Sequence, residues 1–152
     1  MAGELSLFLA RRGYTTLGVD ISSVAIEQAR MNAAGRRIDA EFLVWDALAL
    51  DRLAAAGLSF RTVLDSAMCH IFDDNERQQF VDGLAAVVPA GGLYCVLGDA
   101  RQPGRPGYGI HPEELRHRFE GSGDWEVVFA TRAVYERRTG YNPGFFVVFR
   151  RR

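Results

Sequence analysis

Lysine is absent from this 152-residue chain: all 18 basic side chains are arginine, set against 19 acids. Schiff-base chemistry on lysine and any phosphate loop completed by a lysine are thereby excluded. Cysteine is scarce, with only Cys69 and Cys95. Two thiols cannot build the stapled framework of a small secreted domain, so a reducing, cytoplasmic setting is expected. Net charge is small, -1, without the basic footprint of a general nucleic-acid binder. Arg36-Arg37 and Arg150 to Arg152 read as short, solvated runs. No long apolar run occurs either. Leu5 to Ala10 is too short to cross a bilayer and follows Glu4, not a basic leader, so no membrane association is expected. The three histidines, His70, His111 and His117, lack zinc-ligand spacing, and no metal is expected.

What remains is an apolar, foldable chain. Hydrophobic residues make up 48% of it and 10 are Phe, too many for a disordered segment. The length suits a single domain, 1–152. Helices alternate with strands. Leu5, Phe8 and Leu9 mark one face of a helix over Glu4 to Arg12, stopped by Gly13. Thr15 to Val19 is a strand that ends in Asp20. Ser22 caps a helix to Ala34, with Ile21 stapled on Ile26 and Gly35 as the stop. Glu41 to Trp45 is the next strand, closed by Asp46, and an Ala/Leu-rich helix from Ala47 to Ala56 follows. Phe60 to Leu64 is a strand leading to the turn Asp65-Ser66. Asp73 or Asp74 opens a helix whose stripe is Phe80, Val81, Leu84 and Val88. Leu93 to Leu97 is nearly all apolar, as befits a strand buried on both faces. A Gly/Pro/Arg-rich loop spans Gly98 to Ile110, and His111 to Glu120 is a short helix. Trp125 to Tyr135 and Phe145 to Arg150 form a hairpin across Thr139 to Gly144. The class is α/β: a doubly wound, mostly parallel sheet with a C-terminal antiparallel hairpin.

In an open parallel sheet a ligand sits beyond the carboxyl ends of the strands, where the strand order reverses. That leaves Asp20, Asp46, the Asp65 to Phe72 segment and the Gly98 to Ile110 loop as candidates. Asp20, between a strand and a capped helix, can accept hydrogen bonds from both hydroxyls of a ribose. It is equally placed to be a carboxylate favoured by the helix dipole. Asp46 repeats the position one strand later and can accept from an exocyclic amine such as that of adenine, or cap a helix. Two acids at successive strand ends favour a nucleoside, and a nicotinamide dinucleotide fits the same pattern.

Gly3-Glu4-Leu5 is followed by Gly18-Val19-Asp20-Ile21-Ser22 with Ala25-Ile26 and Ala29, then Phe42-Leu43-Val44-Trp45-Asp46, then Pro89-Ala90-Gly91-Gly92. In that order, over nearly the whole chain, these segments resemble the class I S-adenosylmethionine-dependent methyltransferases, whose sheet is Rossmann-like. Leu64-Asp65-Ser66 through His70-Ile71-Phe72 is similar to the small-molecule branch, which includes thiopurine methyltransferase-like and tellurite-resistance-like enzymes. The resemblance implies S-adenosylmethionine as cofactor, S-adenosylhomocysteine as its product, and a small molecule methylated on oxygen, nitrogen or sulfur. It implies ribose on Asp20 with Ile21 against the adenine face, and the adenine amine on Asp46 with Ala47 beside it. Asp65 and Ser66 would line the methionine end, and Gly3 would be the last glycine of a glycine-rich cofactor loop. His70 falls on the acceptor side, as a general base where the acceptor must lose a proton. A hydrogen-bonded histidine closing a loop is the other reading. Tyr108 and His111, in and just after the long loop, read as acceptor contacts or as plain surface connection.

The chain departs from the family at its start, where the family's first strand and the earlier glycines of the loop do not appear. In the family that strand lies between the second and fourth. Such a strand carries two hydrogen-bond ladders and about four buried side chains at roughly 1.5–3 kcal/mol each, comparable with a domain's whole stability of roughly 5–15 kcal/mol. The natural chain is therefore expected to extend upstream of Met1. Otherwise the second and fourth strands pair directly, or another copy fills the gap, which favours a homo-oligomer. A non-catalytic binding or assembly module on the same fold is the rival reading, favoured by the missing loop and opposed by the two acids. A Cys69 thiol with His70 as its base is disfavoured, because neighbours on an extended segment point to opposite sides.

Overall fold

The computed structural model describes residues 2–102, 104, 109–137 and 140–152. The chain divides into two units, Met1–Ala49 and Leu50–Arg152.

The first unit contains α1 (Glu4–Ala10), β1 (Leu17–Asp20), α2 (Ser23–Arg36), β2 (Glu41–Val44) and a 3-10 turn at Ala47–Ala49. β1 and β2 pair in parallel, from Leu17 opposite Glu41 to Asp20 opposite Val44. α2 starts where the Ser22 side chain accepts a hydrogen bond from the Ala25 N–H. Ile21 stays 72% exposed, so the expected staple onto Ile26 does not form. The helix also runs through Gly35. It ends instead at Arg37, which takes a left-handed φ of 54°. The Ile38 N–H returns to the Ala33 carbonyl, and Ile38 packs on the core that joins Leu7, Ile26, Ala29, Ala33 and Phe42. Packing thus places the helix end two residues beyond the glycine.

The second unit contains α3 (Leu50–Ala55), β3 (Thr62–Ser66), a 3-10 turn at Cys69–Ile71, α4 (Asp74–Val87), β4 (Leu93–Asp99), α5 (Pro112–Gly121), β5 (Trp125–Arg137) and β6 (Gly140–Arg151). The sheet order is β3-β4-β6-β5. β3 and β4 are parallel, and the other two pairs antiparallel. α4 opens with a capping box between Asp73 and Glu76 and buries Phe80, Val81, Leu84 and Val87. α5 packs through Phe119, whose ring stacks on Phe149 of β6 at 4.1 Å and on Tyr94 of β4 at 5.2 Å.

The α/β class, the mixed strand directions and the C-terminal hairpin are those expected. The strands distribute over two sheets, of two and four strands. Gly98 and Asp99, expected in the loop, extend β4 because they pair with Phe145 and Gly144. Gly140 to Gly144, expected in the hairpin turn, belong to β6. Pro143 lacks an N–H but keeps its carbonyl in use, accepting from the Ala100 N–H. Among the described residues no helix is long and apolar enough to cross a membrane.

Candidate functional site

In the first unit, β1 and β2 run in the same direction, so Asp20 and Asp46 stand at the same, carboxyl edge of the pair. The Trp45 N–H donates to the Asp20 carbonyl at 2.9 Å and ties the two strand ends together. Each acid is braced by its own chain. Asp20 Oδ1 accepts from the Ser22 N–H at 2.8 Å, and Asp46 Oδ1 accepts from the Leu48 N–H at 2.9 Å. Both side chains are exposed, and among the described residues the second oxygen of each makes no hydrogen bond. Ile21 lies open beside Asp20, and Ala47 begins the turn after Asp46. Gly3 stands at the start of α1 with φ 77°, where a Cβ would come within 2.7 Å of the Ala29 Cβ and 2.9 Å of the Phe42 ring. Both the left-handed φ and the crowding by Ala29 and Phe42 call for glycine there.

In the second unit, Asp65 ends up 5% exposed at the end of β3. Its Oδ1 accepts from the Met68 N–H at 2.8 Å. Its Oδ2 accepts from the Cys69 N–H at 2.9 Å and from the Tyr94 hydroxyl at 2.8 Å. Burial pushes this carboxyl above its ordinary range, and the three hydrogen bonds, with His70 nearby, pull it back only in part. With both oxygens taken, Asp65 shapes the turn that follows, and the exposed polar group at this strand end is Ser66. His70 is 3% exposed, with Nε2 3.7 Å from Oδ2 of the fully buried Asp99 at the end of β4. Burial, then Asp65, pushes the neighbouring Cys69 thiol up to about 12, so it stays protonated and is no nucleophile at neutral pH. The buried Arg77 holds the turn to both flanking helices. It donates to the Cys69 carbonyl at 3.4 Å, to Asp74 at 3.1 Å and to Glu114 at 2.9 Å. His111 is the exposed residue before α5, and its side chain makes no cap there. Tyr108 lies outside the described residues.

Asp99, Tyr94 and Arg77 escaped the sequence reading. Asp99 carried a usable signal, since it closes an apolar strand as Asp20 and Asp46 do. Tyr94 sits in an apolar strand and Arg77 in a charged stretch of helix, so neither stands out in the sequence. Among the described residues no group of three or more His, Cys, Asp or Glu could hold a metal ion.

Parallel strands joined by helices make this an α/β chain of the doubly wound kind. The chain belongs to the methyltransferase-domain family, whose profile matches residues 2–92. Solved structures agree in fold. A protein from a study of the conversion of a disulfide bond into a thioacetal group during echinomycin biosynthesis is 24% identical, with a TM-score of 0.83 over 98% of this chain and 71% of that one. An S-adenosylmethionine-dependent methyltransferase from Methanosarcina mazei is 20% identical, with a TM-score of 0.78 over 98% and 87%. Magnesium protoporphyrin IX methyltransferase from Synechocystis PCC 6803, solved with bound S-adenosylmethionine, is 18% identical, with a TM-score of 0.75 over 99% and 65%. The fold is that of the class I methyltransferases.

Proposed function

We propose that the protein transfers a methyl group from S-adenosylmethionine to oxygen, nitrogen or sulfur of a small molecule. The observation that carries this reading is the pair of acids at the carboxyl ends of β1 and β2, each braced through one oxygen and open at the other. Adenosine needs acceptors for a diol and for an exocyclic amine, and an apolar surface for its ring. Asp20, Asp46 and the exposed Ile21 supply those three things, so the residues present fit the group. When bound, S-adenosylmethionine supplies a methyl already activated on a sulfonium. The chain has to orient the reactants and exclude water. Asp20 accepts from the ribose hydroxyls, Asp46 accepts from the amine with Ala47 alongside, and Ile21 covers the ring. Ser66 is the polar contact at the end of β3. His70, held against Asp99, takes up the proton that an acceptor atom loses. Placement in the thiopurine- and tellurite-type branch rests on the Leu64 to Phe72 resemblance. The cytoplasmic setting rests on two free thiols. The rival, a non-catalytic module, gains nothing from two acids each left with an open oxygen.

Titration calorimetry with S-adenosylhomocysteine tests the reading. Asp20→Asn keeps the Oδ1 brace on Ser22 and replaces only the open acceptor by a donor. An affinity loss of about tenfold or more is expected, since about 1.4 kcal/mol is tenfold and a lost bond to a charged group reaches that size. Asp46→Asn should act in the same direction. Wild-type affinity in both variants would remove the basis of the proposal.

A further inference from the structure

The sheet face under α5 is not filled along its whole length. On that face Phe149 meets Phe119, and the next residues of the same side of β6 are Val147 and Phe145. Directly opposed residues of an antiparallel pair share a face, so Ala130 and Arg132 of β5, opposite Val147 and Phe145, point the same way. Beside them lies a hollow of about 800 Å³, within the size range of small-molecule sites. Its walls are mostly apolar and include Val134 of β5 and Arg116 of α5. Ala100, the residue after Asp99, also lines it, so the hollow adjoins the strand end that carries the His70–Asp99 pair.

Its charge is unbalanced in one direction. Arg116 is shared between Glu113 and Glu120, at 3.7 Å from each. Glu113, which also lines the hollow, is thus already answered. Arg132 has no such answer: among the described residues no carboxylate lies within ion-pair distance of it. A lone guanidinium therefore stands on an apolar floor, at a strand position whose neighbours on the same face are Ala130 and Val134. Arg132 is exposed on the edge strand, and the small Ala130 leaves the space beside it open.

We propose that this hollow is the acceptor site, and that it takes a small molecule with an apolar body and one anionic group. The anion sits on Arg132 and the body on Ala130, Val134, Phe145 and Val147. Calling the ligand a methyl acceptor rests on the function proposed above; the ligand chemistry rests on the hollow alone.

Fluorescence titration of the full chain with 1-anilinonaphthalene-8-sulfonate tests the site, with N-phenyl-1-naphthylamine as its uncharged counterpart. Saturable binding of both is expected. Arg132→Gln should weaken the sulfonate about tenfold and leave the uncharged dye within about twofold. Ala130→Trp, which fills the floor, should abolish both. Val134→Trp, at a more exposed position, should do the same where the first variant fails to melt cooperatively. Equal sulfonate binding by wild type and Arg132→Gln, or undiminished binding of both dyes in folded tryptophan variants, overturns the proposal. S-adenosylhomocysteine calorimetry on the same wild-type sample separates the two readings. The dye pattern without cofactor heat upholds the hollow's ligand chemistry and overturns its role in methyl transfer.

Discussion

Tyr94→Phe removes the hydroxyl that bonds the buried Asp65 at the end of β3. The ring contacts with Phe80, Phe119 and Phe149 survive the change, and what is lost is the hydroxyl that donates to Asp65 Oδ2 and also meets the Cys69 thiol. A hydrogen bond to a charged group contributes roughly 1.5–3 kcal/mol. A chain of this length loses roughly 2–4 °C of melting temperature per kcal/mol, so a fall of about 7 °C is expected. The loss depends on pH in a definite sense. Burial holds the Asp65 carboxyl above its ordinary range, and the Tyr94 bond is one of the influences opposing that rise. Removing it raises the carboxyl further. A group raised in the folded state contributes stability that is complete below its unfolded pKa and is lost as pH climbs through the folded value. Tyr94→Phe should therefore be penalised more at mildly alkaline pH than at mildly acidic pH, because the Asp65 carboxyl takes up its proton as pH falls. Circular-dichroism melts at the two pH values read this directly. The Asp65→Asn background should erase the pH dependence. An equal loss at both pH values, or none, refutes the assignment of Tyr94 to an ionised Asp65.

Three further outcomes follow from local geometry. Asp73→Ala removes the capping box at the start of α4 and should lower stability by about 1 kcal/mol, read as a shifted urea midpoint with unchanged slope. Gly18→Ala places a Cβ 2.7 Å from the Phe42 ring and 2.8 Å from the Ser6 hydroxyl, so a cost of roughly 1–3 kcal/mol is expected in the same assay. In a thiol-labelling time course near neutral pH, the half-buried Cys95 should react first. Cys69, pushed up to about 12 and buried, should label only as fast as the chain opens.

Local signals in the sequence were reliable where a side chain acts on its own backbone. Ser22 caps the helix it was expected to cap, and of the two acids offered for α4 it is Asp73 that does so, because a side-chain oxygen reaching an N–H three residues on needs no tertiary partner. Gly35 misled for the opposite reason. The end of α2 is held by Ile38 packing on the core, and that packing outweighs the conformational freedom of a glycine. Gly140 to Gly144 misled likewise, since turn-forming composition yielded to a long antiparallel register. The strand-end acids were legible as a pattern, and Asp20 and Asp46 do share an edge. What each acid does was not legible. Asp65 and Asp20 look alike in sequence, yet one is enclosed by three donors and the other is open to solvent, a distinction set by Tyr94 and the turn after β3. Division of the strands between two sheets was not readable from periodicity, which finds strands but does not pair them.

The three-donor clasp on Asp65 means that the stretch from Ser66 to Cys69 is already set in the free protein. A small molecule arriving there meets a finished surface and loses little affinity to ordering the chain. Discrimination at that point should consequently come from shape and polarity, with the backbone behaving as a rigid template.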